Sequence, residues 1–135
     1  MSNLGIDYLN GKHVITTEIN SSNDLLILHT NDGPIYLKWY GDCCAHCFLA
    51  NVSGASFLED TSILEARNTE WMIISEDRQY GDVMESMGTT LKTNKGYVNL
   101  DSRVEHNGYY AGYVEVYTEL PYSNEITTLR KLEDF

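Results

Sequence analysis

Positive charge is scarce in this chain. Nine lysines and arginines stand against twenty aspartates and glutamates, for a formal net charge of −11 over 135 residues. Such a surface is repelled by nucleic-acid backbones and anionic membranes, so direct binding to either is not expected. Proline is also scarce, with two residues in all, and few breakers together with many threonines, valines, isoleucines and tyrosines favour strands. No apolar run approaches the roughly 20 residues that span a bilayer. The opening stretch, residues 1–10 (MSNLGIDYLN), has no basic segment followed by an apolar one, so no secretory signal is expected. Three cysteines, an odd number, fit a reduced compartment, and cytoplasm is the expected location. The chain has no P-loop, no dinucleotide-binding glycine pattern, no HExxH and no nucleophile elbow. No cofactor is expected, and a binding protein is a better expectation than an enzyme.

The length allows one domain with a real core. Residues 12–19 (KHVITTEI), 25–30 (LLILHT) and 35–40 (IYLKWY) read as three strands of an antiparallel meander, with turns at 20–24 and 31–33. Ile35, Leu37 and Trp39 alternate with Tyr36, Lys38 and Tyr40, so the first three face one way. Further strands are expected at 48–52, 61–68, 70–76 and around 89–92. Residues 53–60 read as a short helical turn with Ser53 as its cap. The expected fold is mainly β, with an antiparallel sheet forming a sandwich or partly open barrel and one or two short helices. Its core spans roughly 12–120, and 121–135 form a tail that is either a fraying strand or a short helix.

The clearest local signal lies in residues 95–117, KGYVNLDSRVEHNGYYAGYVEVY. Asn107-Gly108 between β-forming residues predicts a hairpin, because a tight turn needs the positive φ that Asn and Gly tolerate. Alternation turns Val98, Leu100 and Val104 inward, with Val114 and Val116 on the return strand. Tyr97, Asn99, Asp101 and Arg103 face out, as do Tyr113, Glu115 and Tyr117. Tyrosine offers flat area at low entropy cost, so a face of tyrosines with a lone arginine suits a stacked ligand. Arg103, Asn107, Tyr109, Tyr110 and Tyr113 are the candidate ligand-binding residues. The plain alternative is that tyrosines pair across strands for stability.

Cys43, Cys44, His46 and Cys47 form the densest set of potential metal ligands, with His106 as a fourth-ligand candidate for zinc. A structural zinc site normally has two separated ligand pairs, and here there is one knot. Small buried cysteines at a strand start are the preferred reading. A cysteine nucleophile with His46 or His106 as base ranks below zinc, since no orienting third group is recognisable.

Several of these segments together resemble a family of small, uncharacterised bacteriophage and prophage proteins. They are Gly41-Asp42-Cys43-Cys44, the VSG and SILEA stretches near 52–54 and 62–66, KGYV at 95–98 and NGYYAGYV at 107–114. The likeness covers roughly Leu25 to Glu119. His46-Cys47 is not part of the usual pattern, and the segment 68–93 is longer and lacks an aromatic strand. The resemblance implies a viral accessory protein acting in the host cytoplasm. By analogy with such proteins, the first expectation is a non-enzymatic module that sequesters a small nucleotide-like immune signal, in a form that allows a homo-oligomer. The alternative is an acidic module that inhibits a host nucleic-acid-binding or defence complex. An enzyme using the Cys/His knot is the third.

Overall fold

The computed structural model describes residues 3–77, 79, 81–108, 110–120 and 128–135. Among these residues ten strands make one antiparallel sheet: β1 (His13–Asn20), β2 (Leu25–Thr30), β3 (Gly33–Gly41), β4 (His46–Ser53), β5 (Thr61–Asn68), β6 (Met72–Asp77), β7 (Asp82–Thr93), β8 (Tyr97–His106), β9 (Gly112–Tyr117) and β10 (Leu129–Lys131). Among the described residues helix is confined to two 3-10 turns, Ile6–Leu9 and Ala55–Leu58. The strand order is β4-β8-β7-β5-β1-β2-β3-β9, with β10 added beside β1 and β6 beside β7.

The meander forms as its alternation predicts. β2 pairs β1 on one side and β3 on the other, from Leu26↔Ile19 and Leu26↔Leu37 outward. Ile35, Leu37 and Trp39 are all buried. Lys38 departs from the pattern and is buried as well. Its Nζ lies 3.2 Å from Asp24 Oδ2, which compensates a charge that burial alone would penalise.

The sheet curls back on itself. Among the described residues, the strand pairing that links its halves is that of β1 with β5, at His13↔Ser62 and Val14↔Thr61. Bulges at Val14/Thr16 and Ile63/Glu65 bend the strands around this corner, and another interrupts β4 at Leu49/Asn51. Trp39 of β3 then reaches across the core, and its Nε1 donates to Ser102 Oγ of β8 at 2.8 Å. Gly112 starts β9 hard against the other half: a Cβ there would lie 2.8 Å from Val104 Cβ and 2.9 Å from Cys47 Sγ. Leu26, Leu28, Leu37, Leu49, Ile63, Leu91, Leu100 and Val116 fill the space between.

The expected hairpin is replaced by a different pairing. β8 alternates as read, with Val98, Leu100 and Val104 buried and Tyr97 exposed. However, its partners are β7 and β4, while β9 pairs β3 from Tyr36↔Tyr117 to Gly41↔Gly112. Asn107-Gly108 does turn the chain, with Gly108 at φ 98. The chain then crosses the open end of the curl and does not return beside β8. Asp42 secures that crossing: its N–H donates to Ala111 O at 3.0 Å and its Oδ2 accepts from Ala111 N at 3.0 Å. The true hairpin joins β7 to β8 through Asn94-Lys95-Gly96. Docked on β3, Tyr117 is buried, contrary to the outward face expected of it.

The other short elements are adjusted in detail. The 3-10 turn at 55–58 is preceded by Gly54 in the left-handed region and has no Ser53 cap. Ala55 N donates instead to Asp134 Oδ1 at 2.8 Å. The described part of the tail, 128–135, is anchored: β10 pairs β1, and Phe135 exchanges backbone hydrogen bonds with Val52 at 2.9 and 3.1 Å.

A candidate acidic cleft

The C-terminal part of β5 and all of β6 run end to end along β7, interrupted at 69–71. Thr69 spans the break, donating its N–H to Gly88 O at 2.8 Å and accepting Gly88 N at Oγ1 at 2.9 Å. Beyond that kink, β6 and the first half of β7 project past the core as a ribbon, with β8 on β7's other side. The β3–β4 turn reaches the same end because β4 pairs the last residues of β8, with His46 opposite Glu105.

These four elements enclose an open cleft of about 580 Å³, lined by Cys44, His46, Ser75, Asp77, Asp82, Val83, Met84, Glu105, His106 and Asn107. Among the described lining residues three are carboxylates and none is Lys or Arg. The histidines are held by acids too. His106 is almost wholly buried, and its Nε2 lies 2.6 Å from Glu85 Oε2. Gly108 N–H donates to its Nδ1 at 2.9 Å, which places the ring hydrogen on Nε2 for donation to Glu85. His46 stacks at 4.7 Å on Phe48 and lies 3.9 Å from Glu105 Oε2. The cleft is therefore a concave patch of negative charge.

The residues expected to bind a ligand do not converge. Asn107 lines the cleft. Arg103 lies on the cleft side of β8, two residues from Glu105, but is committed to Asp101: its Nη2 donates to Oδ2 at 2.7 Å and its Nε to Oδ1 and Oδ2 at 3.2 and 3.1 Å. Burial pushes the Asp101 carboxyl upward, yet hydrogen bonds from Arg103, Asn51 and Ser86 and the guanidinium charge bring it below its ordinary range. The same carboxylate raises the Arg103 guanidinium. Tyr113 is exposed on β9, with its hydroxyl 3.4 Å from Asp42 Oδ2. Tyr110 is half-buried in the crossing, and Tyr109 lies outside the described residues.

The cysteine knot separates as well. Cys43 and Cys44 are exposed, with their Sγ atoms 3.4 Å apart, and the expectation that all three cysteines are buried holds for Cys47 alone. The Cys43 thiol is raised by its hydrogen bond to Cys44, that neighbour's charge and burial. Burial pushes Cys47 up to about 11, against a weak bond to Tyr113 O at 3.8 Å. Cys44, His46 and His106 do share the cleft, but among the described residues no group of three or more His, Cys, Asp or Glu side chains is placed to hold a metal ion. Sequence reading missed Asp77, Asp82, Met84 and Glu105, because only the β6–β7–β8 pairing brings these distant positions together.

A smaller groove of about 300 Å³ lies on the outer side of β5 and β7, lined by Glu65, Arg67, Thr90, Lys92 and Tyr97. Among the described residues, no helix is long and apolar enough to cross a membrane.

The fold and cleft define a curled, open, all-antiparallel β domain with an acidic recess at one end. The chain belongs to the family described as a domain of unknown function, DUF7448, whose model matches residues 7–116. That match takes in every strand except β10 and leaves the last residue of β9 outside. No curated protein and no solved structure matched the chain.

Proposed function

We propose that this protein is a non-enzymatic binding module whose acidic end engages a basic partner protein. The observation that carries the reading is the cleft lined by Asp77, Asp82 and Glu105, with no lysine or arginine among its described lining residues, on a chain of net charge −11. Proteins that handle nucleic acids present cationic surfaces to the phosphate backbone, and an acidic module competes for such surfaces. The resemblance to phage accessory proteins supplies the setting: inhibition of a host nucleic-acid-binding or defence complex.

A second reading, capture of a nucleotide-like signal, is favoured by the smaller groove. There Arg67 and Lys92 flank Tyr97, which is 58% exposed and free to stack. The original candidates support it less, since Arg103 is held by Asp101 and a phosphate in the cleft would meet three carboxylates.

The test is calorimetric titration of the full chain with a cationic polypeptide and with a panel of mono-, di- and cyclic nucleotides at two salt concentrations. Polypeptide binding that weakens as salt rises, and weakens again in Asp82→Asn/Glu105→Gln, supports the first reading. Nucleotide binding lost in Tyr97→Ser supports the second and displaces the first.

A further inference from the structure

β6 is apolar at its start, and among the described residues nothing covers it. All six of its residues are exposed, with Met72, Ile73 and Ile74 at 66%, 58% and 49%. Along one edge it pairs β7; among the described residues its other edge pairs nothing. A free edge displays unpaired backbone N–H and C=O groups and is a template for another strand. Natural edges are commonly blunted by lysine, proline or a bulge. β6 has no lysine or proline, and its bulge between Ile73 and Ser75 leaves Met72, Ile73 and Ile74 open.

The charge around this edge selects its occupant. Glu70 precedes β6, and Glu76 and Asp77 end it. On β7, Asp82 lies opposite Asp77 and Glu85 opposite Ile73. The sequences of β6 and of β7 from Asp82 to Ser86 contain no base; Arg78, in the turn between them, lies outside the described residues.

A second copy fits this edge poorly in two antiparallel registers that overlap β6. Pairing centred on Ile73 sets the apolar residues together but puts Glu70 opposite Glu76, and like charges directly opposite destabilise a pair. Pairing centred between Ile74 and Ser75 sets Met72 against Asp77 and Ile73 against Glu76. Each copy also brings a charge of −11. A strand in which apolar side chains alternate with lysine or arginine satisfies both requirements, meeting the exposed Met72, Ile73 and Ile74 with its apolar side chains and the acids around them with its bases.

We infer that the free edge of β6 receives an extended cationic segment of a partner protein as an added strand. The inference rests on the protein-binding reading above and names the surface and the chemistry of its partner.

The test uses a fluorescent heptapeptide alternating lysine and valine, titrated into the full chain and followed by anisotropy. One control alternates glutamate and valine; another has the same lysines and valines in two blocks. The alternating cationic peptide is expected to bind at least about tenfold more tightly than either control. Ile74→Lys, a surface change, is expected to weaken it by a similar factor, and Ile73→Pro more strongly, with thermal melts confirming that each variant folds. If Ile74→Lys binds as the parent does while Asp82→Asn/Glu105→Gln binds weakly, the edge inference falls and the protein-binding reading stands. If neither cationic peptide binds, both fall. A dimer in sedimentation that Ile74→Lys dissolves would show that a second copy covers the edge, and would overturn the inference.

Discussion

β2 and β6 are both six residues long and both open on an apolar run, LLIL in one and MII in the other. Five of the six residues of β2 are buried, and none of β6 is. The difference is in the neighbours. β2 lies between β1 and β3, with Trp39 and the leucines of both halves around it. Among the described residues β6 has one neighbouring strand, lies past the break at 69–71 and has nothing over either face. Hydrophobicity in a strand therefore reports that a surface is to be covered, and topology decides whether the chain itself covers it. β2 is spent on stability; β6 remains available for a partner.

The comparison breaks most visibly under truncation. Leu28→Ala in β2 should cost about 2–5 kcal/mol in urea unfolding, because the packed wall around it collapses only in part. Ile73→Ala in β6 should stay within about 0.5 kcal/mol of the parent, as surface changes usually do. Equal losses would place β6 in the core.

Trp39→Phe should be the next largest effect. It leaves the fully buried Ser102 hydroxyl without its indole partner, at a cost of about 1–3 kcal/mol in the same assay. Trp71, half-buried at the start of the ribbon, is the matched control, and Trp71→Phe should cost less.

Two pH limbs sharpen the contrast further. Asp101 is held below its ordinary range, so the stability it contributes is present above about pH 4 and is lost as pH falls through its lowered folded value. Asp101→Asn should flatten that acid limb. Cys47 binds its proton more tightly folded than unfolded, so stability should fall from near pH 9 and level off near its folded value of about 11. Cys47→Ala should remove that alkaline fall. The smallest effect is kinetic: iodoacetamide followed by intact mass should show Cys43 and Cys44 alkylated in the native protein and Cys47 only on unfolding.

Much of this architecture was legible in the chain. Strong alternation and clean turns located the meander, the 61–68 strand and the inward face of β8. Three things were not. Asn107-Gly108 predicts a turn correctly, but a turn residue cannot say which strand the chain joins next; the free edge of β3 and the close fit of Gly112 against Val104 decided that. β7 was read only in part, because Gly88 and small polar residues mask a strand of twelve residues whose order comes from three neighbours. The acidic cleft was invisible for the same reason. Asp77, Asp82 and Glu105 carry no shared local pattern and meet only after β6, β7 and β8 align, whereas the tyrosines that stood out in sequence are scattered over both halves.

The most direct test of the account is hydrogen–deuterium exchange over β2 and β6, with and without the alternating lysine–valine peptide. β2 should be strongly protected in both states, and β6 should exchange quickly alone and slowly with peptide bound. Protection of β6 in the free monomer equal to that of β2, or a peptide footprint that leaves β6 unchanged, would contradict it.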